Sequence, residues 1–159
     1  MQTPQLNLSR LNPAQREAVL HGTGPLLVLA GAGSGKTSTM AYRIAHLLTA
    51  KHVRADQILG LSFTNKAARE LRERVSGLVK PFRLRKLPRI TTFHSLGVAV
   101  IRAHAEALGY TGQFTILDSG DQEAVVRDIL RTLSIDDKKF DPRSLLFQIS
   151  LLKNRGYRT

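Results

Sequence analysis

The stretch Ala30-Gly31-Ala32-Gly33-Ser34-Gly35-Lys36-Thr37 follows directly on the apolar run Leu26-Leu27-Val28-Leu29. Glycines at alternating positions let a backbone turn tightly, so that successive N–H groups face one concavity, a shape suited to an oxyanion. A helix beginning at this point would add the positive end of its dipole. A lysine in this place reaches the β- and γ-phosphates of a nucleoside triphosphate, and a threonine hydroxyl ligates its Mg2+. Ala32, Gly33, Ser34, Gly35, Lys36, Thr37 and Ser38 are therefore the candidate nucleotide-binding residues. Lys36 and Thr37 are the candidate catalytic pair, and Thr37 is the candidate Mg2+ ligand. The strict pattern has glycine where this chain has Ala30, a position that closes the turn and tolerates a small side chain. The alternative is a flexible loop between a strand and a helix, with no ligand.

Such a loop works only if a strand delivers it and a helix leaves it. Leu26–Ala30 is fully apolar, the pattern of a strand inside a parallel sheet. A helix is expected from about Lys36 to Thr49, burying Met40, Ile44, Leu47 and Leu48. Upstream, Asn12 can cap a helix that has Pro13 at its first position and Gln15 closing a capping box, with a stop at Gly22. Ile58–Phe63 reads as a second strand, with Thr64 and Asn65 as caps of a helix from about Lys66 to Leu78. Ile90–Phe93 reads as a third strand, and a helix follows from about Ser95 to Leu108, ended by Gly109. This alternation implies an α/β domain with a parallel sheet. Beyond Gly109 the pattern changes. Phe114–Leu117 is a short extended piece, and Ser119 opens a helix to about Leu133 with Gln122 at the capping-box position. Asp141-Pro142 opens another, burying Leu145, Leu146, Ile149 and Leu152 and ended by Gly156. Asp136-Asp137, before two lysines, reads as a surface turn.

Composition narrows the partners. The 159 residues are 42% hydrophobic, enough for one domain with a core and part of another. Without cysteine there is neither a disulfide framework nor a thiolate metal site, which suits a reducing cytoplasm. No apolar stretch reaches membrane-spanning length, so no membrane partner is expected. The net charge of +12 points to a polyanion, nucleic acid first, although a soluble basic enzyme is the other reading. From Arg74 to His104 there is no Asp or Glu, and Lys80, Arg83, Arg85, Lys86 and Arg89 crowd a segment broken by Pro81 and Pro88. Prolines argue against a helix there. An exposed basic loop is expected, either contacting phosphates or simply solvated.

Four stretches, in order and spacing, resemble superfamily 1A DNA helicases of the UvrD/Rep/PcrA type. They are Leu11-Asn12-Pro13-Ala14-Gln15-Arg16-Glu17-Ala18-Val19, the loop Ala30–Thr37, Ser62-Phe63-Thr64-Asn65-Lys66-Ala67-Ala68-Arg69-Glu70-Leu71, and Thr91-Thr92-Phe93-His94-Ser95. Phe114-Thr115-Ile116-Leu117-Asp118 and Lys138-Lys139-Phe140-Asp141-Pro142-Arg143 look like the start of that family's first inserted subdomain. The resemblance implies a RecA-like P-loop NTPase sheet with flanking helices over residues 1–109, then the start of a small helical subdomain over 110–159. It implies ATP and Mg2+ as cofactors and single-stranded DNA and duplex junctions as partners. It also implies 3′-to-5′ translocation, with a place in DNA repair or replication.

Gln15 matches the family's adenine-reading glutamine; a carboxamide can donate to N7 and accept from the exocyclic amine. Helix capping is compatible with that role. Phe63, Thr64 and Asn65 match the motif that meets DNA after the second strand, Phe63 by stacking and the other two through phosphate. Thr92, Phe93 and His94 match the motif after the third strand. Pure capping by Thr64 and Asn65, and a core Phe93 with a capping Ser95, are the competing readings. Ser38 stands where many relatives place an arginine against the adenine. The basic segment has no counterpart in the family pattern. No apolar strand ends in the Asp-Glu pair that such motors need to hold Mg2+ and orient water. The chain accordingly reads as the N-terminal part of a larger helicase, binding nucleotide weakly and turning over essentially none by itself. A helicase–nuclease, a non-catalytic DNA-binding module and an unrelated phosphate-loop kinase are the alternatives.

Overall fold

Asn12 and Gln15 build the first helix, α1 (Pro13–Leu20), as a reciprocal box. The Gln15 N–H donates to Asn12 Oδ1 at 2.8 Å and the Asn12 N–H donates to Gln15 Oε1 at 3.1 Å. Two N–H groups that a helix start leaves without partners are thereby satisfied. The computed structural model describes residues 4–111, 114–135 and 140–157. Asp136-Asp137 and the neighbouring Lys138-Lys139 lie outside the described residues.

α2 (Lys36–Thr49) leaves the glycine loop at the residue expected. β1 (Leu59–Ser62) follows, then α3 (Asn65–Val79), β2 (Arg89–Thr92) and α4 (Phe93–Ala103). β1 and β2 pair in parallel, Leu59 opposite Arg89 and Ser62 opposite Thr92, so α3 is the crossover that parallel strands require. Ala41, Ile44, Ala45 and Leu48 of α2 meet Ala68, Leu71, Val75 and Val79 of α3 and Ile90 of β2 in one buried cluster. Those spacings put each set on a single helical face. Met40, expected in that face, is exposed, and Leu47 is only half-buried. Ala41 and Ala45 line the contact instead, because small side chains let the two helices approach.

The expected strand Leu26–Ala30 is not formed. The segment has no regular secondary structure, and the sheet contains β1 and β2 alone among the described residues. Leu27 is 80% and Leu29 86% exposed. A strand state is conferred by hydrogen-bonding neighbours, and an apolar run without them stays open to solvent. The fold is therefore α/β with a small two-stranded parallel sheet and flanking helices. No helix of the described residues is long and apolar enough to cross a membrane.

Contacts divide the chain into two compact units, Met1–His104 and Ala105–Thr159. The second holds α5 (Ser119–Thr132) and α6 (Pro142–Asn154). Its first cap is Asp118, one residue before the expected Ser119: Asp118 accepts from the Asp121 N–H at 2.9 Å, and Asp121 returns the bond at 3.1 Å. A carboxylate opposes the positive helix end better than a hydroxyl, which decides the register. Gln122 donates to the Leu117 carbonyl instead. Glu123 accepts from Arg127 and from Arg143, tying α5 to α6. Leu145 and Leu146 are half-buried, but Ile149 and Leu152, expected to be buried, are exposed, since α5 covers only part of α6.

Arg43 ties α2 to the end of α1. Its guanidinium donates to the carbonyls of Val19 (2.8 Å), His21 and Gly22 (3.0 Å), the groups that the end of α1 leaves without partners. One turn on, His46 is buried with its Nε2 unbonded. Burial, and then the charges of Arg43 and Lys51, hold its pKa below the usual 6.5. Above pH 6.5 the ring is neutral folded or unfolded. Below it the unfolded chain takes up a proton that the folded one resists, so stability is lost as pH falls. Chemical denaturation midpoints should drop with acidification below pH 6.5, and His46→Leu should flatten that part of the profile. An equal slope in the variant would remove His46 as the cause.

Candidate functional site

The glycine loop is held closed from within. Ser34 Oγ donates to the Gly31 carbonyl at 2.7 Å. Lys36 Nζ donates to the same carbonyl at 2.6 Å and to that of Ala30 at 3.1 Å. The ammonium is thus folded back over the loop it follows. Gly33 and Gly35 take φ of +75° and +82°, a region that costs other residues strain. Gly35 is the N-cap of α2 and gives no side-chain cap. The first N–H groups of α2 are therefore left for a ligand at the positive end of a fourteen-residue helix. A cation inside a loop of uncapped N–H groups fits a polyphosphate, and the Thr37 hydroxyl in the first turn fits the Mg2+ that accompanies it.

Gln15 joins this loop. While Oε1 closes the capping box, Nε2 donates to the Ser34 carbonyl at 2.9 Å. A Cβ on Gly35 would come within 2.9 Å of Nε2, so the glycine is needed for the carboxamide to lie here. Capping uses one lone pair of Oε1, and the loop contact uses one of the two N–H bonds. One donor and one acceptor remain for a base edge. Beside the carboxamide opens a groove of 480 Å3 lined by Gln15, Gly35, Ser38, Tyr42, Arg10 and Arg74. Arg10 and Arg43 were not singled out from sequence, and Arg74 only as the start of the acid-free basic stretch. A basic residue set between the core positions Tyr42 and Ile44 was the available signal for Arg43.

The second constellation sits where β1 and β2 end. Because the strands are parallel and in register at Ser62 and Thr92, the next residues emerge side by side. Phe63 and Phe93 meet there with ring centroids 5.4 Å apart, tilted by 48°. They are 87% and 50% exposed, so Phe93 is not a core residue. Thr64 caps α3, accepting from the Ala67 N–H at 3.1 Å, which leaves its own O–H free to donate. Asn65 is the first residue of α3, and it and His94 are exposed. Thr92 is different. It is buried, accepts from the Ser95 N–H and donates to Ser95 Oγ, so its hydroxyl is spent on capping α4. The cap is Thr92 rather than Ser95. Two bare aromatic faces beside hydroxyl, amide and imidazole groups can stack a base and hold a phosphate. Among the described residues, no hydrogen bond, ion pair or ring contact links this constellation to the glycine loop.

The chain matches the family model described as UvrD/REP helicase N-terminal domain over residues 11–159. It is 49% identical over 147 residues to the ATP-dependent DNA helicase PcrA of Bacillus subtilis, an overlap of 92% of this chain and 20% of that protein. With the same coverage it is 46% identical to the protein of that name from Staphylococcus aureus and 44% to that from Staphylococcus epidermidis. The chain thus spans 20% of the length of these relatives.

Proposed function

We propose that this chain, which belongs to the UvrD/Rep helicase family, forms the nucleotide-binding and first DNA-contacting part of an ATP-dependent DNA helicase. In this reading residues 1–109 begin a RecA-like motor domain and residues 110–159 begin a helical subdomain. The motor tracks single-stranded DNA 3′ to 5′ toward duplex junctions and serves DNA repair or replication. The observation that carries the reading is the Gln15 carboxamide bonded to the Ser34 carbonyl of the loop that holds Lys36.

ATP with Mg2+ supplies a phosphoryl group transferable to water. The residues here bind and orient. The loop N–H groups and Lys36 take the phosphates, Thr37 ligates Mg2+, and Gln15 reads adenine from the adjoining groove. Lys36 must leave the Ala30 and Gly31 carbonyls to do so. Arg10 and Arg74 line that groove beside Ser38 and are the cations nearest to hand there. Phe63, Phe93, Thr64, Asn65 and His94 hold the strand. Hydrolysis needs carboxylates from elsewhere, so this chain alone binds nucleotide weakly and turns over essentially none.

The test is displacement of a fluorescent ATP analogue by ATP and by GTP. The chain should prefer ATP, and Gln15→Ala should weaken ATP by roughly tenfold, the worth of a bidentate base contact. GTP should weaken much less. Equal losses for both nucleotides would reduce Gln15 to a structural cap and leave adenine recognition without support.

A further inference from the structure

The basic segment occupies a definite place in the fold. β1 and β2 run in parallel with Leu59 opposite Arg89, so the connections that lead into them enter the sheet at the same edge. The first connection, residues 50–58, carries Lys51 and Arg54. The second, residues 80–88, carries Lys80, Arg83, Arg85 and Lys86, and Arg89 opens β2. All seven cations are exposed. A groove of 400 Å3 joins the two connections, lined by Val53, Arg54, Asp56, Leu84, Arg85 and Lys86. Asp56 is the one carboxylate in either connection, and it is already paired with Arg54. That hydrogen bond, and in smaller part Lys86, hold the Asp56 carboxyl below its usual range. Among the described residues, none of the five cations from Lys80 to Arg89 has a side-chain hydrogen bond or an ion pair.

The aromatic pair Phe63–Phe93 stands at the other edge of the same sheet. Four residues of strand separate the two edges, about 13 Å. The basic edge has no exposed Phe, Tyr or Trp ring: Phe82 is half-buried, and the imidazole of His52 is its one exposed aromatic group. Single strands are held by stacking as well as charge, whereas duplex is held at its phosphates with no need of a base face. An acidic protein partner would be anchored by a central aromatic or large apolar pocket, and this groove, whose apolar lining is Leu48, Val53, Ala55 and Leu84, holds no aromatic anchor.

We propose that this edge is a separate duplex-binding surface, contacting the DNA backbone through the unpaired Arg83, Arg85, Lys86 and Arg89. It stands on charge and topology and does not depend on how the glycine loop or the aromatic pair is read.

The test uses the whole chain, a short blunt duplex and oligo-dT, with affinities followed by anisotropy over a range of salt. Arg83→Gln/Arg85→Gln/Lys86→Gln should weaken the duplex at least tenfold and lower the log–log salt slope by about 3, one unit for each lost phosphate contact. Oligo-dT binding should change far less. Phe63→Ala/Phe93→Ala should show the reverse pattern. If the triple variant loses its cooperative melt, Arg85→Gln alone should still lower the duplex slope by about 1. An unchanged duplex slope would overturn the proposal, as would a parallel loss of oligo-dT. Tighter binding of a polyglutamate peptide than of duplex, lost in the same variant, would overturn it in favour of an acidic protein partner.

Discussion

Lys36→Ala is expected to cost the longer protein about a thousandfold in ATP turnover, and this chain most of its affinity for Mg2+-ATP. The expectation rests on position as much as charge. Lys36 Nζ lies 2.6 Å and 3.1 Å from two carbonyls of the loop, so it is held within reach of whatever the loop encloses. Once nucleotide binding has drawn Lys36 from those carbonyls to the phosphates, charge that develops on the transferring oxygens is stabilised by a cation that need not move again during the reaction. Alanine removes both the cation and its tether. The side chain is exposed and its hydrogen bonds go to two exposed loop carbonyls, so the melting temperature should barely move. Turnover within a factor of a few of the parent would show that the loop is not the phosphate site.

The second large effect is expected at the aromatic pair. Phe63→Ala/Phe93→Ala should weaken single-stranded DNA by roughly tenfold or more, since each base stacked on an aromatic ring contributes about 1–3 kcal/mol. No phosphate contact is lost, so the salt slope should stay put while the affinity falls. Nucleotide affinity should be untouched, because no hydrogen bond, ion pair or ring contact joins the pair to the loop among the described residues. A merely structural role predicts a different outcome. The two rings are 87% and 50% exposed, and removing a buried prop would lower the melting temperature, whereas removing an exposed platform would not. A lower melting temperature with unchanged DNA affinity would sink the assignment.

What could be read from sequence and what could not divides along a physical line. The box of Asn12 and Gln15 and the Thr64 cap are contacts between residues three apart, and the start of α2 at Lys36 follows the left-handed Gly35 next to it; all three are written in neighbouring residues. The strand expected at Leu26–Ala30 needed hydrogen-bonding neighbours, which its own residues cannot provide, and it is unpaired here. Burial on α6 failed for a like reason: Ile149 and Leu152 keep helical spacing, but spacing does not say whether another element covers that face. In the candidate site, the residue types of the loop were legible, and its closure on Lys36 was not. Nor was the tie from Gln15 to Ser34, a bond across nineteen positions. The pairing of Phe63 with Phe93 depends on the register of two strands, so either residue alone could equally have been read as core. Thr92 and Thr64 look alike in sequence. Only the structure shows one buried against Ser95 and the other open to solvent.

The most direct measurement is ATP hydrolysis with and without single-stranded DNA, on this chain and on a longer protein of its relatives' length that carries it, side by side. The account predicts strong stimulation by DNA in the longer protein, abolished by Lys36→Ala, and next to no turnover by this chain alone. DNA binding without stimulation in either protein would contradict it, leaving a basic DNA-binding module with a phosphate loop that drives nothing.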